Sequence, residues 1–428
     1  MQPLAVTLLL ALSLGGAACA QAAPPAAFTL KDGDRVVFYG DSITEQREYT
    51  NDVEEFVLTR YPAWKVSFFN AGVGGDRVSG GWAGPVDLRL RRDVFSRRPS
   101  HVTIMLGMND TYYRADEPGI FSTYAEGYRS IVESIRKNLP DARITLIEPS
   151  PYDDVTSQPL SPVGINDSLV KYGQFVAQLS SENGTLLADF NTPVVAFLKT
   201  LKHENPDLAP QLIPGRVHPQ QGGHWLMAET LLKVWHATPL VSAIQIDAGG
   251  KQPTVEAENA SVSALRRDKD GRLTWTELDG ALPLPFPAPE LAPVLALTSK
   301  LSDLIPSLDQ ETLRVRNLAP GSYDLLIDGR KAATYTQADL SAGINLATVD
   351  TPMLDQSRLV AYDTERKNAL EAERFDAISR DLAGETSKTA AALEAAMPAA
   401  EARQRLDALP RPHRFEIVPT SSQLGAKP

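Results

Sequence analysis

Short apolar runs alternate with amphipathic stretches over the first half of the chain. The runs are continuous and rich in β-branched residues, which is typical of buried strands in a parallel sheet. They lie at Val36–Tyr39, Val66–Phe69, Val102–Leu106, Ile144–Ile147 and Leu186–Phe190. Between them apolar residues recur at helical spacing, as in Tyr128, Ile131, Val132 and Ile135. Strands and helices in this alternation predict a doubly wound α/β/α domain, with its ligand site beyond the carboxyl ends of the strands.

The pattern changes after Pro239. Short strand-like runs separated by turn residues predict a β-rich accessory domain. The runs are Ile244–Asp247, Leu273–Trp275, Leu313–Val315 and Asp324–Ile327. The Pro-rich stretch Leu282–Ala292 is typical of a loop or linker. Thr364–Leu409 is rich in Ala, Glu, Arg and Leu and predicts helix, which we expect Gly384 and Pro398 to interrupt. We therefore divide the chain into residues 28–240, 241–350 and a mainly helical segment, 351–428.

Composition indicates a packed protein with little tendency to bind nucleic acid. The chain has 428 residues, of which 43% are hydrophobic and 22% are charged. The formal net charge is −11, and the acidic residues are spread along the chain instead of forming a tail. Such a charge argues against a nucleic-acid partner.

The N-terminus predicts a signal peptide over residues 1–22. Its apolar core, Leu8–Leu14, is too short to span a bilayer, and small residues follow it. We therefore expect a secreted or periplasmic bacterial protein without stable membrane insertion, although Met1-Gln2-Pro3 carries no Lys or Arg. The single cysteine, Cys19, lies inside this segment, and its flanks disfavour a lipoprotein because the usual Leu is missing. Cleavage after Cys19 would leave no thiol and would exclude thiol catalysis.

Ser42 lies in the segment Tyr39-Gly40-Asp41-Ser42-Ile43-Thr44, directly after the first apolar run. A serine on a sharp turn between a strand and a helix is well placed to be a nucleophile. The N–H groups at the start of the helix can then stabilise a developing oxyanion. The alternative role is an ordinary helix cap.

Two further segments follow strand ends. The glycine-rich stretch Asn70–Asp76 either forms a plain tight turn or exposes a glycine N–H to a substrate oxygen. It lacks the spacing of a phosphate-binding loop. Asn109 either forms an Asx-turn with Asp110 or donates its amide to an oxyanion.

His218, in Val217-His218-Pro219, lies on a predicted loop before the amphipathic stretch Gly223–Trp235. From there it can act as general base to Ser42. The other histidines have no partners at metal-ligand spacing, so we expect neither a metal site nor a cofactor.

These four segments, in order, resemble the GDSL, or SGNH, hydrolase superfamily over about residues 35–235. The resemblance implies a flavodoxin-like three-layer α/β/α domain with a parallel five-stranded sheet. It also implies a serine esterase in which His218 takes the proton of Ser42, and Ser42 attacks an ester carbonyl. The oxyanion hole would comprise the N–H groups of Ser42 and Gly75 and the side chain of Asn109.

One position departs from the family pattern. The family usually has Asp three residues before the histidine, and this chain has Gly215 there. In the Ser-His-Asp triad of serine proteases, replacing that Asp lowers kcat by a factor on the order of 10⁴. Three hypotheses stay open: a Ser42–His218 dyad, a substitute carboxylate such as Asp189, or a weakened or inactive enzyme.

We expect hydrolysis of acetylated carbohydrate or other small acyl esters, since the predicted export and the appended β-rich region fit an extracellular substrate. A lysophospholipase or lipase is the first alternative. The second is a carbohydrate- or envelope-binding protein that has lost catalysis because of Gly215. The sequence leaves the oligomeric state open.

Overall fold

The computed structural model describes residues 27–114, 117–160, 164–288, 290–379 and 388–420. The predicted signal peptide, with Cys19, lies outside the described residues, and so does Gly384.

The first domain is built on a parallel sheet of five strands. In chain order, the strands of the domain are β1 (Arg35–Gly40), β2 (Ser67–Gly72), β3 (Gly80–Gly81), β4 (Gly84–Pro85), β5 (His101–Met105), β6 (Arg143–Glu148) and β7 (Leu186–Asp189). The sheet order is β2-β1-β5-β6-β7, while β3 and β4 form a separate small hairpin. Each neighbouring pair in the sheet is parallel. The predicted doubly wound α/β fold is confirmed.

Helices cover both faces of this sheet. They are α1 (Ser42–Glu45), α2 (Glu48–Arg60), α3 (Val86–Arg89), α4 (Pro118–Asn138), α5 (Ile165–Asn183), α6 (Thr192–Glu204) and α7 (Gln221–Val234). Val36 and Phe38 of β1 lie in one core cluster with α2, α6 and α7, and Val37 and Tyr39 lie in the other with α4. Successive side chains of a strand point to opposite faces, so a buried strand needs the unbroken apolar run seen here.

The C-terminal region contains two further sheets. Its strands are β8 (Leu240–Asp247), β9 (Thr254–Glu258), β10 (Ala260–Arg267), β11 (Leu273–Asp279), β12 (Gln310–Arg316), β13 (Ser322–Ile327), β14 (Arg330–Thr336), β15 (Ile344–Asn345) and β16 (His413–Pro419). The sheet orders are β15-β12-β8-β9 and β10-β11-β16-β13-β14. The last described strand, β16, therefore lies between two strands of the accessory region, and the helical segment returns to complete that sheet.

The described residues of this region form five helices: α8 (Pro293–Leu301), α9 (Leu304–Leu308), α10 (Gln337–Ala342), α11 (Pro352–Ser379) and α12 (Lys388–Asp407). The expected break at Pro398 is wrong, because α12 continues through this proline. Proline removes one backbone hydrogen bond from a helix, at a cost of about 3 kcal/mol. Extensive packing of α12 against α11 offsets this cost.

The Pro-rich stretch after β11 packs on the first domain. Residues 282–288 have neither helix nor strand, as expected for a loop, yet Leu284 and Phe286 belong to the same core cluster as α7. Leu295 of α8 and Leu304 of α9 join this cluster. The first hydrophobic core thus extends beyond the predicted boundary at residue 240. In the part of the chain that the structure describes, no helix is long and apolar enough to cross a membrane.

A buried polar network attaches α11 and α12 to α2. Glu54 of α2 accepts hydrogen bonds from Lys367 Nζ at 2.8 Å, Asn368 Nδ2 at 2.9 Å and Gln404 Nε2 at 2.9 Å. The side chains of Lys367 and Glu54 are 1% and 5% exposed. A buried charge is tolerated when it is paired and its remaining hydrogen-bonding capacity is satisfied, and both conditions are met for Glu54.

We predict that Lys367→Met lowers the free energy of unfolding by about 3–5 kcal/mol, because it leaves the Glu54 carboxylate buried without a countercharge. Urea denaturation followed by circular dichroism measures this change. The matched control is Lys331→Met, which removes a more exposed pair with Asp324 and should change stability by less than about 1 kcal/mol. Equal effects of the two substitutions would contradict the role given to the buried network.

Candidate active site

Ser42 is the first residue of α1 and follows Gly40, the last residue of β1, by two positions. Asp41 between them is the N-cap, and its carboxylate accepts a hydrogen bond from the Ile43 N–H at 3.0 Å. Asp41, and not Ser42, therefore caps the helix with its side chain. The hydroxyl of Ser42 is free for another partner.

The turn that carries Ser42 is packed tightly against the sheet. A Cβ atom on Gly40 would lie 2.2 Å from Thr44 Oγ1, and one on Gly72 would lie 2.2 Å from the Glu45 nitrogen. The Asn70 side chain connects the same elements, donating to the Thr44 carbonyl at 2.6 Å and accepting from the Gly72 N–H at 3.0 Å. Only glycine leaves room for α1 at these two strand ends.

His218 contacts Ser42 directly. Its Nε2 lies 2.9 Å from Ser42 Oγ. The loop carrying His218 is held by two backbone hydrogen bonds, from the Gln220 N–H to the Leu212 carbonyl and from the Asp153 N–H to the Arg216 carbonyl. The sequence thus identified both members of the pair, although 175 residues lie between them in the chain.

Gly215 does not occupy a regular helical turn. Its φ is +68° and the φ of Arg216 is +71°, so two consecutive residues have left-handed backbone conformations. A Cβ on Gly215 would have no atom within 4 Å. Within the described part of the chain, the His218 ring makes one hydrogen bond, the one from Nε2 to Ser42.

Asp189 lies at the end of β7, the outer strand of the sheet. Its Oδ1 accepts hydrogen bonds from the N–H groups of Asn191 and Thr192, both at 2.9 Å. Among the described residues no hydrogen bond joins Asp189 to His218, and the contacts of its carboxylate are those of a residue that begins α6.

Asn109 contacts the loop that contains Gly75. Its Nδ2 donates to the carbonyl oxygen of Asp76 at 3.1 Å, while its Oδ1 accepts from the Tyr113 hydroxyl at 2.8 Å. Gly75 has a φ of +76°, which glycine adopts without strain. The Asp76 carbonyl can only accept, so it fixes Nδ2 as the donor end of the amide, and one amide hydrogen of Asn109 is left for a ligand.

Asp41, Asp76 and Asp110, which lie in the motif segments, form hydrogen bonds that hold the loops of the site in place. Asp110 Oδ1 accepts from the Val78 N–H at 3.1 Å, and Asp76 Oδ2 accepts from Arg89 Nε at 2.8 Å. Burial raises the pKa of Asp41 and of Asp110 to about 7, and the pKa of Asp76 to about 6. Arg89, which is fully buried, opposes the shift of Asp76 and connects this loop to the Ala71 carbonyl.

Glu45 is the carboxylate that acts on His218. Burial lowers the pKa of His218, and the charge of Glu45 partly opposes this shift. Glu45 lies three residues after Ser42 on α1, so both side chains are on one face of that helix. Neither Glu45 nor Tyr113 was predicted from the sequence. The sequence feature that could have identified them is their spacing. Glu45 is three residues after Ser42, and Tyr113 is four residues after Asn109.

The described residues contain no cluster of three or more His, Cys, Asp or Glu side chains arranged to hold a metal ion.

We predict that the His218 ring titrates below its ordinary pKa of about 6.5, because burial disfavours the imidazolium. Glu45→Gln should lower this pKa further, since it removes the charge that favours the protonated form. NMR titration of the ring measures both values, and Glu256→Gln on β9 is the exposed control. A His218 pKa that is unchanged or raised in Glu45→Gln would contradict this electrostatic assignment.

Comparisons with known proteins concern mainly the first domain. The sequence profile of the GDSL-like Lipase/Acylhydrolase family matches residues 38–226. An acetylxylan esterase from Geobacillus stearothermophilus is 26% identical over 222 residues, which span 47% of this chain and 93% of that protein. The matched residues contain all four segments of the candidate site.

Solved structures extend the comparison to the whole fold. A gut microbial diltiazem-metabolizing enzyme superposes with a TM-score of 0.78 at 24% identity, covering 91% of this chain and 98% of that one. At this identity the likeness shows the fold alone, and it includes the C-terminal region. The crystal structure of an acetylxylan esterase from Geobacillus stearothermophilus gives a TM-score of 0.40 at 25% identity, covering 48% of this chain and 96% of that one. Over residues 38–226, the first domain is thus similar to the GDSL, or SGNH, superfamily of ester hydrolases.

Proposed function

We propose that the protein is an exported serine esterase that hydrolyses carboxylic esters through an acyl-enzyme on Ser42. The observation that carries this proposal is the 2.9 Å contact between Ser42 Oγ and His218 Nε2. A nucleophile and a base within hydrogen-bond reach are the minimum requirement for this chemistry.

In the proposed reaction, His218 Nε2 accepts the hydroxyl proton as Ser42 Oγ attacks the ester carbonyl carbon. The resulting oxyanion accepts hydrogen bonds from the N–H groups of Ser42 and Gly75 and from the Asn109 amide. The imidazolium of His218 then protonates the leaving alcohol. A water molecule, activated by His218, releases the acid and restores Ser42.

We propose that Ser42 and His218 act as a dyad. The backbone hydrogen bonds of the loop around Gln220 and Arg216 support the histidine in place of an aspartate. The charge of Glu45, which raises the pKa of His218 against the effect of burial, favours the imidazolium that forms during the reaction. The contacts of Asp189 with Asn191 and Thr192 favour the dyad over a relocated carboxylate.

Acetylated carbohydrate is the substrate class that we propose. Trp82, at the turn of the β3-β4 hairpin, is 53% exposed, and Tyr113, four residues after Asn109, is 41% exposed. Exposed aromatic rings offer flat apolar faces against which a sugar ring can pack. The similarity to an acetylxylan esterase supports the same class. Lysophospholipid is the alternative, and hydrolysis of short against long acyl chains separates the two.

A catalytically weakened binding protein is a second candidate function. The observation in its favour is that the His218 ring has no hydrogen-bond partner besides Ser42 among the described residues, together with glycine at position 215. For such a protein, the parent chain would not hydrolyse an acetylated glycan. The Ser42→Ala variant would bind that glycan as tightly as the parent chain does.

We predict that the protein hydrolyses p-nitrophenyl acetate and that Ser42→Ala lowers kcat at least about 10³-fold, because no other nucleophile replaces the serine. The same loss is expected with an acetylated xylo-oligosaccharide. Ser122→Ala, on the exposed face of α4, is the matched control and should retain full activity. Activity that survives in Ser42→Ala would refute the proposed nucleophile.

We predict that Gly215→Asp changes kcat less than about tenfold. The left-handed backbone at residue 215 costs a non-glycine residue roughly 1–2 kcal/mol. The side chain of a residue with this left-handed backbone also points in a different direction from the side chain of a residue in a right-handed helical turn. The test compares kcat of the Gly215→Asp and Gly215→Asn variants. The two side chains have nearly the same shape and impose the same backbone strain, so only the charge differs. A gain approaching 10⁴-fold in the Asp variant alone would show that the missing carboxylate limits the native enzyme.

A further inference from the structure

A cavity of about 590 Å³ lies between the first domain and α11. Its walls are α2, the beginning of α7, the segment after β11 and α11. This volume is typical of a small-molecule site. The lining includes Gln220, two residues after His218, so the cavity is next to the loop that carries the catalytic histidine.

One wall of the cavity is strongly acidic. Glu48, Asp52 and Glu55 follow one face of α2 at spacings of four and three residues, and Glu365 faces them from α11. Among the described residues that line the cavity, Arg358 is the one that is basic. Its guanidinium already donates to the Phe286 carbonyl and lies 3.1 Å from carboxylate oxygens of both Asp350 and Asp355. Arg358 is therefore not free to pair with the acidic wall, where burial raises the pKa of Glu48 to about 7 and the pKa values of Asp52 and Glu55 well above the ordinary range.

Asp52 is an unpartnered carboxylate within this wall. It is 5% exposed, and its Oδ2 makes no hydrogen bond with the described residues. Glu48 Oε2 likewise has no hydrogen-bond partner, and it lies 3.8 Å from Nε2 of the buried His224, whose pKa burial lowers to about 3. Burial and the charges of Glu55 and Glu48 raise the pKa of Asp52 well above its ordinary range. A buried acceptor without a partner requires an explanation, and a ligand in the adjoining cavity is the explanation pursued for Asp52 and Glu48.

The opposite walls of the cavity are apolar and aromatic. Trp225 of α7 and Tyr362 of α11 line it together with Pro285 and Pro287. Carboxylates with aromatic faces recognise organic ammonium groups. The three carboxylates of α2 extend over roughly 10 Å of helix, at 1.5 Å per residue, which is too far apart for one metal ion. The described residues include no group arranged to hold a metal.

We propose that this cavity binds an organic cation, a molecule that carries a protonated or quaternary ammonium group on an apolar body. The ammonium group lies against Asp52 and Glu48, and the apolar body contacts Trp225 and Tyr362. A neutral sugar fits less well, because it carries no positive charge to pair with Asp52 and Glu48 when they ionise.

The test is isothermal titration calorimetry of the intact chain with choline and with 3,3-dimethylbutan-1-ol, its neutral isostere. We expect choline to bind at least tenfold more tightly than the alcohol. Because the pKa of Asp52 is raised in the empty cavity, choline binding should release protons. This release appears as a binding enthalpy that depends on the ionisation enthalpy of the buffer.

Asp52→Asn preserves the shape of the side chain and should weaken choline binding at least tenfold and reduce the proton release. Glu256→Gln, on the exposed strand β9, is the control that should bind as the parent does. Tyr362→Ala, at an exposed position, gives a second variant in which folding is not at risk and should also weaken binding. Melting temperatures of all variants verify that they are folded.

Equal binding of choline and its isostere would overturn the proposal, and so would unchanged choline binding in folded Asp52→Asn. Tighter binding of a xylo-oligosaccharide than of choline in this cavity, lost in Tyr362→Ala, would assign it to a sugar instead. Choline carries no ester, so these results do not depend on whether Ser42 is catalytic.

Discussion

Gly40, Gly72 and Met105 lie side by side at the carboxyl edge of the first sheet, because β1 pairs in parallel register with both β2 and β5. Parallel strands end at one edge, so the residues that follow them share a surface. Ser42 follows β1 by two residues, and the loops with Gly75 and Asn109 follow β2 and β5. If this register shifted by one residue, the glycines that admit α1 would no longer lie beneath it. The site therefore depends on strand pairing before it depends on any catalytic side chain.

The C-terminal region is continuous with this domain in its packing. Leu284 and Phe286 enter the first core, and Glu54 connects α2 to both α11 and α12. The same helix, α2, presents its acidic face to the cavity beside α11. One consequence is that the cavity exists only because the two parts of the chain are in contact. A truncated first domain would lack one of its walls.

The sequence predicted the central sheet well, because five buried strands must be apolar on both faces. It also predicted the pairing of Ser42 with His218, since each stood in a family-like motif. It missed β9 and β10, where most side chains are exposed and apolar periodicity is therefore weak. The hydrogen bond of Tyr113 to Asn109 and the effect of Glu45 on His218 depend on loop conformation and side-chain direction, which short motifs do not encode. The break expected at Pro398 was wrong because packing against α11 outweighs local propensity.

The central claim is that Ser42 is activated by His218 without a carboxylate three residues before it. The rate of covalent labelling by a fluorophosphonate, followed by intact mass and peptide mapping, tests this most directly. The account predicts one adduct on Ser42, formed at a rate that rises with pH as His218 loses its proton and that falls at least about 10³-fold in His218→Ala. Labelling at Ser42 with the same rate in His218→Ala, or no labelling of the parent chain at any pH, would contradict it.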